Sequence, residues 1–468
     1  MNLFSRDRQY IDMLAGSPVR LIARFSLPLI VGNLLQQLYT FVDAAVIGRY
    51  VGVNAFAAIG CTGWIVWWIN SAARDCSNAI CIAASIRIGN RNYDEFRRIL
   101  ANGVMMAAAL TALAMLVLLG GLDLSLRLLN VQMEIYDDAR AYLMVLVLAI
   151  PATMTFHVAG ALLRAAGNSS VTSAAMTAAT VMNIALDLVF VLAFHWDVIG
   201  VAVATLLAQA AAMTVALLAA RKNPLFHTQR AHWRLDGRLM GEMLRLLAPM
   251  MLNSLVITFG GLYVQQAVNA IGTHFTAGVE VGGKIFSLLE AVIMAVQTGA
   301  SVFVGQNLGA SQPHRIRSGL RRIVLFSLLL TLGMIALVWL FGGSLIRFFL
   351  SSRDPALFEA AYAVALRNAL FLVTGMVIMT PMYLYRASLQ TIGHPNYAMI
   401  AGVLQVFARM GTVELLVRFF GNDAIFFADV LAWTVSLPVV AIPFGVYMRR
   451  LCREKERETA LQAQADGV

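Results

Sequence analysis

The chain has 468 residues, 60% of them hydrophobic and only 13% charged, with a mean hydropathy of +0.75. A soluble globular chain carries roughly 25% charged residues, so the composition excludes that class and points to a polytopic membrane protein. The net charge of +10 does not point to nucleic acid, because the basic residues cluster in short connectors between apolar runs, as loops at a bilayer surface do.

Apolar runs of about 20 residues or more, the length that crosses ~30 Å of hydrocarbon, fall near 20–47, 54–86, 99–121, 135–160, 170–194, 198–220, 242–271, 276–305, 320–342, 358–385, 396–418 and 424–448. The first residues are charged and the first run continues into a full span, so no cleavable signal is expected. Turn chemistry separates the runs, as at Gly89-Asn90, Gly120-Gly121, Gly167-Asn168, Gly342-Gly343, Gly393-His394-Pro395 and Gly421-Asn422. Twelve spans put both termini on one side. Of the 35 Lys and Arg, 24 fall on that side, 7 on the other, and 4 inside apolar runs (Arg24, Arg74, Lys284 and Arg409). This imbalance predicts cytoplasmic termini. Cys61, Cys76, Cys81 and Cys452 form no metal or disulfide pattern.

The halves resemble each other. Arg24 to Pro28 opens the first span, and Arg245 to Pro249 opens the seventh. Ile88-Gly-Asn-Arg-Asn follows the second, and Leu308-Gly-Ala-Ser-Gln the eighth; each loop has an Arg eight residues after its Gly (Arg97 and Arg317). Leu163 to Gly167 precedes the fifth, and Leu389 to Gly393 the eleventh. The offsets are 221, 220 and 226. Six spans is an even number, so both halves enter the membrane the same way. The expectation is a pseudo-two-fold along the membrane normal, with the substrate site between the halves. The expected division is a six-helix lobe at 1–220, a cytoplasmic linker at 221–241, a second six-helix lobe at 242–448 and a basic cytoplasmic tail at 449–468.

Acids inside apolar runs are costly, which makes them functional candidates. Asp43 lies about six residues from the outer end of the first span, or ~9 Å deep at 1.5 Å per residue. Asp187 and Thr205 lie at ~12 Å on the fifth and sixth. Asn183 shares a face with Asp187, four residues on. Carboxylate, amide and hydroxyl oxygens suit a hard cation, and a desolvated carboxylate suits a proton; the residues serve either. The second half does not repeat the set: Val264, Arg409 and Val413 stand where Asp43, Asn183 and Asp187 would recur.

Three stretches carry a family resemblance. They are Phe25-Ser-Leu-Pro28 through Gly32-Asn33, Gln36-Gln37-Leu-Tyr39, Val42-Asp43 and Ile47-Gly48-Arg49; Leu163 to Asn168 with Asn183-Ile-Ala-Leu-Asp187; and Val304 to Ala310. In this set and order the chain resembles the multidrug and toxic compound extrusion (MATE) family. The resemblance implies an all-α fold of two six-helix lobes in a V-shaped, rocker-switch antiporter of the prokaryotic inner membrane. Such a protein exports small organic, often cationic, compounds in exchange for H⁺ or Na⁺, with no cofactor, as a monomer. It also implies that Asp43, Asn183, Asp187 and Thr205 form the cation-coupling site, holding Na⁺ transiently where Na⁺ is the ion. No acid lies between Pro249 and Gly272, where one branch of the family places a coupling Glu.

Gln36, Tyr39, Arg74, Asp75, Lys284, Glu290 and Arg409 are candidates for the substrate cavity. Charges of both signs would suit a zwitterionic or anionic aromatic substrate as well as a cation. Adjacent Arg74 and Asp75 point in different directions on a helix and need partners elsewhere; Arg409 and Glu414 are candidates. His157 reads as a core residue. A lipid-linked oligosaccharide flippase of the same superfamily would favour further spans and a strongly cationic cavity. A membrane enzyme would need a reactive constellation. The sequence shows none of these.

Overall fold

The computed structural model describes residues 10–51, 53–128, 131–349 and 355–465. All regular structure among them is helical. In chain order the helices are α1 (Pro18–Val46), α2 (Val53–Gly89), α3 (Tyr93–Gly120), α4 (Leu122–Leu128), α5 (Met133–Ala165), α6 (Ser170–Leu188) and α7 (Asp197–Lys222). They continue with α8 (Gly237–Ile271), α9 (Thr273–Gly309), α10 (Pro313–Phe349), α11 (Pro355–Thr391), α12 (Asn396–Gly411), α13 (Val417–Phe420) and α14 (Phe427–Ala465). Among the described residues, eleven helices are long and apolar enough to cross a membrane. The run expected at 54–86 forms the 37-residue helix α2.

The helices are apolar on the outside. On α10, Ser327 and Thr331 are fully buried, while Leu325, Leu329, Leu332, Trp339 and Leu340 are exposed. A water-soluble helix buries its apolar stripe; this inversion is what a lipid solvent selects, since lipid tails are as apolar as Leu.

Contacts divide the chain into two compact units. One holds Arg24–Leu247 with the N-terminal residues up to Asp12; the other holds Met13–Ala23 with Ala248–Val468. Within the first, α5 packs on α2, α3 and α7, and α6 on α7. Within the second, α11 packs on α9, α10 and α14, and α12 on α14. The pairings repeat, and so does the backbone. Asn90, Arg91 and Asn92 donate to the carbonyls of Ile86, Ile88 and Arg87; Ala310, Ser311 and Gln312 do the same to Gln306, Leu308 and Asn307. Arg91 and Ser311 are both left-handed, at φ 59° and 55°. Gly167 and Gly393 turn their loops at φ 93° and 91°, a conformation glycine adopts without a Cβ penalty.

The 221–241 stretch is folded onto the first unit. It contains short 3₁₀ turns at Pro224–Phe226 and Arg230–Trp233. The buried His232 places Nε2 3.0 Å from Asp94 Oδ1. Asn102 donates to the Arg234 carbonyl at 3.3 Å and accepts from the Asp236 amide at 2.9 Å. Just beyond, Arg87 holds Glu242 with two bonds of 2.6 Å.

Candidate functional site

The face that α6 buries is polar: Thr172, Ser173, Thr180, Asn183 and Asp187. Their spacing of three, four and seven is that of one helix side. Val181 and Leu188 on the outer side are exposed. Asp187 has no solvent exposure and Asn183 only 2%. Two side chains fix α6 against α1. Ser169 Oγ donates to the Phe25 carbonyl at 2.6 Å, and Ser173 Oγ donates to the Pro28 carbonyl. Gly32 makes room: a Cβ there would stand 3.0 Å from Ser173 Oγ and 3.6 Å from Met176 Sδ.

A small cavity of about 30 Å³ opens beside this face. Gln36 of α1, Phe156 of α5, Thr180 and Asn183 of α6, and Thr205 and Gln209 of α7 line it. The structure therefore brings Asn183, Thr205 and Gln36 to one place, with Asp187 a turn further along the same buried face. Neither amide atom of Asn183 has a hydrogen-bond partner among the described residues. A buried unsatisfied group costs about 1–3 kcal/mol, and a polar cavity of this size suits a water molecule or a small cation. The side chains of Asp43 and Tyr39 lie outside the described residues; their backbones are helical within α1. A π-helical turn at Val189–Ala193 begins two residues after Asp187. Such turns recur at functional sites.

The second unit builds the equivalent place differently. Offset 226 turns Asn183 into Arg409, and offset 221 turns Tyr39 into Gly260. Arg409 is only 9% exposed. Its Nε and Nη2 lie 2.8 and 2.7 Å from Asp429 Oδ1 on α14. Gly260 opens the space for it, since a Cβ there would stand 3.4 Å from Arg409 Nη1. Arg409 Nη1, Gln405 Nε2 and Asn253 Oδ1 are buried without partners among the described residues. Within its own unit, Arg409 forms its ion pair with Asp429. Glu414 bonds Tyr263 and Arg418. Sequence reading missed Asp429 because an acid in the first turn of a helix reads as a helix-start residue.

The remaining candidates lie on α2 and α9. Arg74 is exposed and donates from Nη2 to Ser71 Oγ at 2.7 Å; Asp75 is half-buried. Lys284 is exposed on α9. Half-buried Glu290 accepts from the Tyr383 hydroxyl at 2.7 Å.

Known proteins bear on this arrangement. The MatE family profile matches twice, over residues 28–189 and 249–411, and the two matches begin 221 residues apart. A probable multidrug resistance protein of Bacillus subtilis, YpnP, is 27% identical over 356 residues, covering 75% of this chain and 79% of that protein. The multidrug export protein MepA of Staphylococcus aureus is 22% identical, covering 93% of this chain and 95% of that one. Among solved structures, an outward-facing multidrug resistance MATE family transporter superposes with a TM-score of 0.88 at 19% identity, over 96% of this chain and 100% of that one. A MOP superfamily transporter from Pyrococcus furiosus gives 0.88 at 20% identity, over 96% and 99%.

Proposed function

Because the chain belongs to the MATE family of transporters, we propose that it is a secondary active antiporter. It exports organic compounds in exchange for H⁺ or Na⁺ by rocker-switch alternating access. The observation that carries this reading is the buried polar face of α6, with Asp187 and Asn183 inside and Thr205 meeting Asn183 at the cavity. Asp43, Asn183, Asp187 and Thr205 take up the ion. A charged carboxylate removed from water costs several kcal/mol. That is the size, about 5.5 kcal/mol, needed to move a two-state equilibrium from 1:99 to 99:1. Neutralising Asp43 and Asp187 therefore shifts the population toward the substrate-releasing state. The π-helical turn after Asp187 is the local element free to repack.

Only the first repeat couples the ion. In the second, the guanidinium of Arg409 already supplies a positive charge to Asp429, at the place where the first repeat has a neutral amide. Gln36, Tyr39, Arg74, Asp75, Lys284, Glu290 and Arg409 contribute to substrate binding. The protein works as a monomer in a prokaryotic inner membrane with both termini cytoplasmic, as the 24-to-7 charge bias favours. The test is uptake of cationic, zwitterionic and anionic dyes by proteoliposomes under an imposed H⁺ or Na⁺ gradient. Gradient-driven transport that is lost in Asp187→Asn supports the reading. Transport independent of both gradients would sink it.

A further inference from the structure

Helix α14 has 39 residues, or ~58 Å at 1.5 Å per residue, against ~30 Å of hydrocarbon. Its C-terminal part must therefore emerge from the bilayer. One side of the helix is buried from Trp433 through Ser436, Val440, Phe444 and Met448 to Cys452. The burial runs to Cys452, so the helix is docked on its own unit past the point of emergence and its opposite side has a fixed outlook. That opposite side exposes Val435, Ile442 and Val446. In steps of three and four residues it then continues into Arg449, Arg450, Arg453 and Arg457, all exposed. The change from aliphatic to guanidinium takes one helical turn, about 5 Å.

We propose that this arginine face binds the phosphodiester headgroup of an anionic phospholipid such as phosphatidylglycerol. Three observations favour it. The face is continuous with apolar residues that meet acyl chains, so a ligand there has its headgroup level with the arginines. All four cations are Arg, whose planar fork matches a phosphate bidentately. One acid alone lines the groove with them, Glu454, which accepts from Arg450 Nε at 2.8 Å and leaves a net positive face. The long side chains lie along the helix and deliver their heads to the interface. An acidic soluble partner would have no use for the aliphatic half of the same face. The inference rests on α14 crossing the bilayer and is independent of the coupling ion and cargo.

The test uses full-length protein in lipid discs of phosphatidylcholine mixed with phosphatidylglycerol, with retained lipid counted by native mass spectrometry. The parent should retain phosphatidylglycerol over phosphatidylcholine. Each arginine near an anionic surface contributes about a fivefold preference, so Arg449→Gln, Arg453→Gln and Arg457→Gln together should lower it on the order of a hundredfold. The triple lysine variant should keep the charge-driven part and lose the rest. Thermal stability in pure phosphatidylcholine should match the parent. If the triple glutamine variant is destabilised there, Arg457→Gln alone carries the test. An unchanged preference in the glutamine variants would overturn the proposal. So would full displacement of the lipid by inorganic phosphate, which would mark a site for soluble anions, or retention of an acidic protein in place of lipid.

Discussion

Replacing Asp429 by asparagine removes the counter-charge of a guanidinium that is nine-tenths buried. Breaking a fully buried ion pair costs about 3–5 kcal/mol. The Asp429 side chain is 39% exposed against 10% for Arg409, so solvent screens part of the interaction. The expected loss is about 2 kcal/mol, or roughly 4–8 °C in Tm for a unit of this size. The reverse substitution is not equivalent. Arg409→Met fills the space beside Gly260 with an apolar stem, and the remaining carboxylate can hydrate, so it should cost under ~1 kcal/mol. The double variant removes both charges and should return close to the parent, giving a coupling energy of about 2–3 kcal/mol in a double-mutant cycle. Thermal unfolding of the four purified proteins, followed by a probe in the second unit, reads all of this. If Arg409→Met costs as much as Asp429→Asn, or the double variant shows no recovery, the pair is not holding a desolvated guanidinium.

Asn183→Leu exchanges an amide without partners among the described residues for an apolar group of similar volume, so Tm should hold or rise by up to ~2 kcal/mol equivalent while gradient-driven transport is lost; a drop in Tm would contradict the accounting. Gly402→Ala should destabilise by about 1–3 kcal/mol, because its Cβ would stand 2.1 Å from Asn253 Oδ1; Gly402→Ala with Asn253→Ala should recover in the same melt. Gly167→Ala and Gly393→Ala share the positive-φ penalty of about 1–2 kcal/mol. Only Gly167 also meets backbone, with the Ile11 carbonyl oxygen 2.2 Å from the added Cβ. Gly167→Ala should therefore lose clearly more, as measured by denaturation in matched detergent.

Most of the architecture was legible because it rests on features a sequence must display. Apolar length marks a span whatever its neighbours are, and the loop glycines at 167 and 393 mark a turn only glycine makes cheaply. The offsets 220 and 226 survive in the hydrogen bonds of the two loop pairs. What was not legible depends on which faces meet. The polar stripe of α6 announces its period, but not that Gln36 and Thr205 would share a cavity with Asn183. Arg409 was visible as an intramembrane charge, yet its partner required knowing that α14 lies beside α12. The π-helical turns at Val189–Ala193 and Thr412–Leu416 carry no Pro or Gly signature and arise from packing.

The close approach at Gly32 has a counterpart with its roles exchanged. Offset 221 carries Gly32 to Asn253, and offset 226 carries Met176 to Gly402. In the first repeat the glycine is on α1 and the bulk on α6; in the second the bulk is on α8 and the glycine on α12. Both contacts close, but the parts are no longer interchangeable. Grafting the α1 sequence onto α8 would set glycine against glycine and leave a void, while the reverse graft would drive an asparagine into a methionine. The duplicated gene has diverged by matched pairs of helices, so a chimera between the halves should be built from pairs and never from a single helix.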